Sequence, residues 1–162
     1  MSRKSSSGLK RGGLIALALL ELLWLASGVL AQSNYSLRSP DQRIEIRIRT
    51  DRRLSYSVLL NGKALMQDAT LSLKIDQTTL GLEPKIRGSK QRTVDREIEP
   101  VVRQKFARIR EHYNELRLEI AGDYAVVFRA YNEGVAYRFE TSLPQTEVKV
   151  KREEASFNFA GD

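Results

Sequence analysis

Hydrophobic and polar positions alternate through most of this chain. In RIEIRIR, residues 43 to 49, Ile44, Ile46 and Ile48 face one way while Arg43, Glu45, Arg47 and Arg49 face the other, as in a strand with one buried side. LSYSVLL (54–60) repeats the pattern, and Asn61-Gly62 behind it has the residue types of a tight hairpin turn leading into KALM. TLSLKI carries Leu71, Leu73 and Ile75 on one side, and NELRLEI carries Leu116, Leu118 and Ile120. Ala121-Gly122-Asp123 then turns the chain into YAVVFRAY (124–131), and VAYRFE, EVKVK and SFNF follow. Short strands separated by turn signals predict an all-β fold, an antiparallel β-sandwich.

Helical patterning is weak. In 101–116, Val102, Phe106 and Ile109 could share a helical face, but the same span supports alternation, and it is read as irregular chain entering a strand. No solenoid repeat or Pro/Gly/Ser linker interrupts the rest, so residues 32–162 are expected to form one domain.

The first 31 residues read differently. Arg3, Lys4, Lys10 and Arg11 precede the apolar run GLIALALLELLWLASGVLA, with Val29 and Ala31 at the small-residue positions of a cleavage site. This is the pattern of a secretory signal peptide cut after Ala31, which implies a periplasmic or secreted protein with no membrane attachment after cleavage. An uncleaved anchor is the rival reading, and Glu21 within the run counts against it.

Removing that leader changes the charge balance. The totals of 27 basic and 20 acidic residues fall by four and by one, to 23 against 19, so +7 becomes +4. Basic stretches such as RQKFARIR (103–110) alternate with Glu97, Glu99 and Glu111, which breaks up any phosphate-binding footprint; no nucleic-acid partner is expected.

Much chemistry is excluded by composition. With no cysteine there is no disulfide, thiolate zinc site or cysteine nucleophile. His112 is the single histidine, and no Gly-x-Ser-x-Gly elbow or phosphate-cradling glycine loop is present. Glu153 and Glu154 are adjacent in an extended region and point to opposite sides, a poor start for a calcium site. Glu133, placed at a loop tip by Asn132 and Gly134, is the foremost candidate carboxylate. The bland account of that tip is a turn, since Asn and Gly accept its backbone angles and the charge stays wet.

Four stretches together carry a resemblance: SPDQRIEIRI (39–48), LSYSVLLNGKALM (54–66), HYNELRLEI (112–120) and FRAYNEGVAYRFE (128–140). In that order they resemble the N-terminal domain of glycoside hydrolase family 97, exported bacterial α-glucosidases and α-galactosidases. The resemblance implies a large sandwich of the galactose-mutarotase-like type, packed on a catalytic (β/α)₈ barrel that is the partner here and that handles the oligosaccharide. It implies calcium for the complete enzyme and none held by this chain. The chain is expected to stop partway through the sandwich and before the barrel, so no catalytic residue and no metal ligand is carried over, and the chain alone is expected to be inactive.

Its expected role is non-catalytic: to lean on the barrel and help shape the active site. The candidate substrate or interdomain contacts are Tyr113, Asn114, Glu115, Arg129, Asn132, Glu133 and Arg138, with a solvent-facing arginine the alternative for Arg138. A standalone carbohydrate-binding or envelope scaffold module is the competing function. Trp24 lies in the leader, so the remainder has only Tyr and Phe to offer sugar rings.

Overall fold

In the computed structural model, residues 34–102 and 108–161 are described. The leader and residues 103–107, part of the ambiguous helical window, lie outside them. The described residues form ten strands: β1 (Asn34–Arg38), β2 (Ile44–Thr50), β3 (Leu54–Leu60), β4 (Lys63–Ile75), β5 (Thr78–Leu80), β6 (Ile86–Ile98), β7 (Ile109–Ile120), β8 (Tyr124–Tyr131), β9 (Val135–Thr141) and β10 (Val150–Ala155). They pair antiparallel in two sheets. The first has the order β1-β2-β3-β4-β10, with β5 also on β4; the second is β6-β7-β8-β9. The expected all-β antiparallel sandwich is the observed fold.

Period two builds the core. Ile44, Ile46 and Ile48 of β2, with Leu54, Tyr56 and Val58 of β3, join Leu116, Leu118 and Ile120 of β7 and Val126 and Phe128 of β8 in a single buried cluster. Tyr56 is the aromatic centre, its ring 5.9 Å from Phe128 and 6.2 Å from Tyr137. Asn61 and Gly62, with φ of 51° and 79°, make the predicted tight turn between β3 and β4. Gly122 and Asp123 do the same between β7 and β8, at φ 98° and 58°.

Other expectations shift. KALM and TLSLKI are one strand, β4, broken in register against β3 around Asp68, whose φ of 50° marks the kink. The last strand falls on Val150–Ala155, and SFNF forms no strand but runs beside β4, with a bridge between Phe159 and Met66 and the Gln67 N–H donating to the Asn158 carbonyl at 2.9 Å. β6 had no period-two signal because it is exposed along both sides and held by its backbone pairing with β7.

One glycine is dictated by packing. Gly81 has φ 87°, and a Cβ there would stand 2.4 Å from the carbonyl oxygen of Leu71. Its N–H donates to the buried Tyr124 hydroxyl at 3.2 Å, and its carbonyl accepts from Leu54 N–H at 2.8 Å. The turn after β5 is thereby fastened to both sheets.

Candidate functional site

Registers within the second sheet decide where the candidate residues go. Leu116 and Leu118 point to the core, so Tyr113 and Glu115, odd-numbered on the same strand, lie on the opposite, outer face. Glu115 stands directly between Arg92 of β6 and Arg129 of β8, and Tyr113 between Val94 and Tyr131.

The contacts are specific. Arg92 Nε donates to Glu115 Oε1 at 2.7 Å and Arg129 Nε to Oε2 at 2.8 Å, leaving the Glu115 side chain 7% exposed. The Arg129 guanidinium also lies over the Tyr113 ring, 4.4 Å from its centre, and the Tyr131 ring is 4.9 Å from Tyr113. Burial by itself raises the pKa of Glu115, and the two arginine hydrogen bonds outweigh it, so the net pKa lies below the ordinary carboxylate value. For Arg129 the desolvation that lowers the pKa is outweighed by hydrogen bonds to Tyr131 and Glu115, and the net direction is up.

Arg138 belongs to a separate group on the same face. Its Nε donates to Glu140 at 2.7 Å, and Arg117 pairs with the other oxygen of that carboxylate. Desolvation of Glu140 is again overcome by the two arginines, and its pKa is lowered.

The asparagines serve the other side of the sheet. Asn114 Nδ2 donates to the Arg38 carbonyl at 2.8 Å, and its Oδ1 accepts from the Thr93 hydroxyl at 2.7 Å. Asn132 Oδ1 accepts from Asp41 N–H at 3.1 Å. Both thus tie the second sheet to β1 and the turn after it. That turn is built on Ser39, whose hydroxyl donates to Asp41 Oδ1 at 2.6 Å and accepts from Ile44 N–H at 3.0 Å. The hydrogen bond from Ser39, joined by Arg43, holds the Asp41 pKa at about 2.

Residues 132–134 form the expected turn, with Tyr131 N–H donating to the Gly134 carbonyl at 2.8 Å. The backbone reason given for its composition is corrected: neither Asn132 nor Gly134 has positive φ, and a Cβ on Gly134 would meet nothing within 4 Å. Asn132 is there for its side chain. Glu133 stands at the mouth of a mainly apolar cleft of about 450 Å³ between the sheets, lined by Ile46, Tyr56, Val135, Tyr137, Phe157 and Phe159 among others.

The structure therefore brings Tyr113, Glu115 and Arg129 together, sets Arg138 apart on the same face, and sends Asn114, Asn132 and Glu133 elsewhere. Arg92, Tyr131, Arg117 and Glu140 complete the two groups and were missed, because only cross-strand register reveals them. Glu153 and Glu154 do point apart, yet they are partnered and not merely solvated: Glu153 accepts from the Tyr137 hydroxyl at 3.2 Å, and Glu154 pairs with Arg53 at 3.3 Å. His112 sits on β7 opposite Asp95.

Arginine-bound carboxylates suit structure better than proton transfer. Asp41, Glu45, Asp95, Glu115 and Glu140 are all pushed below the ordinary carboxylate pKa, the reverse of what a general acid needs at neutral pH. Among the described residues no three His, Asp or Glu side chains are grouped so as to hold a metal ion.

Comparison with known proteins agrees with this anatomy. The family model described as Glycosyl-hydrolase 97 N-terminal matches residues 37–162. A retaining alpha-galactosidase of Bacteroides thetaiotaomicron is 36% identical over 110 residues, 67% of this chain and 16% of that protein. A glycoside hydrolase family 97 enzyme of Pseudoalteromonas sp., solved with panose, superposes with a TM-score of 0.66 at 21% identity, over 76% of this chain and 20% of that one. A beta-arabinopyranosidase crystal structure gives 0.70 at 22% identity, over 79% and 22%. The last two show the shared fold, and this chain spans about a fifth or less of the length of each of the three. It belongs to glycoside hydrolase family 97, where it corresponds to the N-terminal domain.

Proposed function

We propose that this chain is the non-catalytic N-terminal sandwich of an exported α-glycoside hydrolase, an α-glucosidase or α-galactosidase, packing against a (β/α)₈ barrel and helping to shape its active site. The observation that carries the reading is the N-terminal family match over residues 37–162 in a chain that spans only 16% to 22% of its longer relatives. The state of the carboxylates supports it. Glycoside hydrolysis needs one carboxyl that keeps its proton and a second that attacks the sugar or activates water. Glu115 and Glu140 are each held ionised between two arginines, fit for a rigid face and not for giving up a proton.

In this reading the barrel supplies the chemistry and any calcium, and the sandwich supplies a stiff wall. The outer face with Tyr113, Glu115, Arg129 and Arg138 is the polar surface offered to the barrel. The test is turnover of nitrophenyl α-glucoside and α-galactoside by the purified chain, with and without calcium, beside calorimetry with panose. No chromophore and no heat are expected; calcium-dependent turnover refutes the non-catalytic role, and saturable heat with panose shifts the function to a carbohydrate-binding module.

A further inference from the structure

The chain has five asparagines, Asn34, Asn61, Asn114, Asn132 and Asn158, and Asn61 alone is followed by glycine. Three are tied down by their side chains: Asn114 to the Arg38 carbonyl, Asn132 to the Asp41 N–H and Asn158 to the Asp68 carbonyl. Asn34 precedes Tyr35, whose side chain packs against the core. Asn61 differs from all four. It is exposed, its backbone N–H donates to the Arg43 carbonyl at 2.8 Å, and its carboxamide has no hydrogen-bond partner among the described residues. The Gly62 N–H is likewise without a partner among them, and a Cβ on Gly62 would meet nothing within 4 Å, so open space surrounds that nitrogen.

We infer that Asn61-Gly62 is a site of spontaneous deamidation, a chemical ageing point at the tip of the β3–β4 hairpin. The Gly62 backbone nitrogen, giving up its proton to the solvent base, attacks Cγ of Asn61. The N–Cγ bond forms, the Cγ–Nδ2 bond breaks, and ammonia leaves with a proton taken from water; a five-membered succinimide remains. Water then opens the ring. Attack at one carbonyl gives aspartate with the ordinary backbone, and attack at the other gives isoaspartate, with the chain routed through the side-chain carboxyl. Asparagine is among the heat-labile residues, and a following glycine offers the attacking nitrogen no Cβ to crowd it. The attack requires the tip to leave its left-handed geometry briefly, and neither the Asn61 side chain nor the Gly62 N–H has a hydrogen bond to break when it does.

The two products act differently on the fold. Asp-Gly suits the same tight turn, so aspartate leaves the hairpin intact. Isoaspartate adds a methylene to the backbone of a two-residue loop whose ends are fixed by Leu60 opposite Lys63, and it pries the pairing apart from Leu60 and Leu59 inward. None of this depends on the family reading or on catalysis.

Peptide mapping of the purified chain, aged in mildly alkaline buffer, tests it. Trypsin cuts after Arg53 and Lys63 and releases residues 54–63. That peptide is expected to acquire the mass of an amide-to-acid exchange about tenfold or more faster than the peptides holding Asn114 and Asn132. It should also split into aspartate and isoaspartate forms, the second accepting methyl groups from an isoaspartyl methyltransferase. Asn61→Asp is expected to melt with the fresh chain, and the isoaspartate fraction below it. Ageing in urea, where every turn is released, sets the upper rate. The inference is overturned by a 54–63 peptide that stays unchanged in the folded chain while it converts in urea, or that changes no faster than the other two. An isoaspartate form as stable as the fresh chain overturns the effect on the hairpin.

Discussion

Replacing Glu115 by Gln keeps the shape of the buried side chain and removes its charge. Two arginines then lose a carboxylate at 2.7 and 2.8 Å, and their surroundings differ. The Arg92 side chain is 54% exposed, so water screens it and its share is about 1 kcal/mol or less. Arg129 is 20% exposed and lies against Tyr113, where a hydrogen bond to a charged group contributes about 1.5–3 kcal/mol. Glu115→Gln is therefore expected to cost about 1.5–4 kcal/mol, the upper part of which overlaps the range for breaking a buried pair. Urea denaturation at pH 7 measures it, and a double-mutant cycle separates the arms: coupling of Glu115 to Arg129 should exceed its coupling to Arg92. A loss below about 0.5 kcal/mol, the size of an ordinary surface substitution, or equal coupling to both arginines, refutes the assignment of this cluster as a rigid buried clamp.

Gly81→Ala should destabilise by about 2 kcal/mol or more, since it combines left-handed strain with a backbone collision, whereas Gly134→Ala should be neutral or slightly stabilising; equal melting shifts would contradict both. Asn132→Ala removes one interloop hydrogen bond and should cost about 1 kcal/mol in the same urea assay, with exchange of the Asp41 amide accelerated. Asp41, Glu45, Asp95, Glu115 and Glu140 have folded pKa values below their unfolded ones, so their stabilisation is present above about pH 4 and is lost as pH falls through the folded values, about 2 for Asp41. Denaturation midpoints should drop between pH 4 and 2, and a midpoint that rises there would reverse the sign. Spectrophotometric titration should find one tyrosine near pH 12, Tyr137, raised first by burial and then by Glu153; Glu153→Gln should bring it down.

β2 was legible because burial forces alternation, with Ile44, Ile46 and Ile48 buried and wetter residues between them; β3 and β8 also fall on the residues expected of them, although both are buried along most of both faces, and the Asn61-Gly62 turn follows from its positive φ values. β6 was not, since charged residues on both sides leave no period to read. The site was legible only in pieces. Tyr113, Glu115 and Arg129 were singled out, but Arg92 lies 23 positions from Glu115 and meets it only through a register no single strand encodes. Asn114 and Asn132 drew attention as polar ligands and turned out to be fasteners between the sheets, a role that depends on where β1 passes.

The clasp between Asp41 and Asn132 joins positions 91 apart in the chain. Closing so long a loop carries an entropic penalty that grows with separation, and topologies rich in distant pairings fold slowly. The turn after β1 is set locally by Ser39 and by the pairing of β1 with β2, and only its link to the second sheet waits for β8 and β9 to assemble. A newly made chain would thus shape that end early and fasten it to the second sheet late.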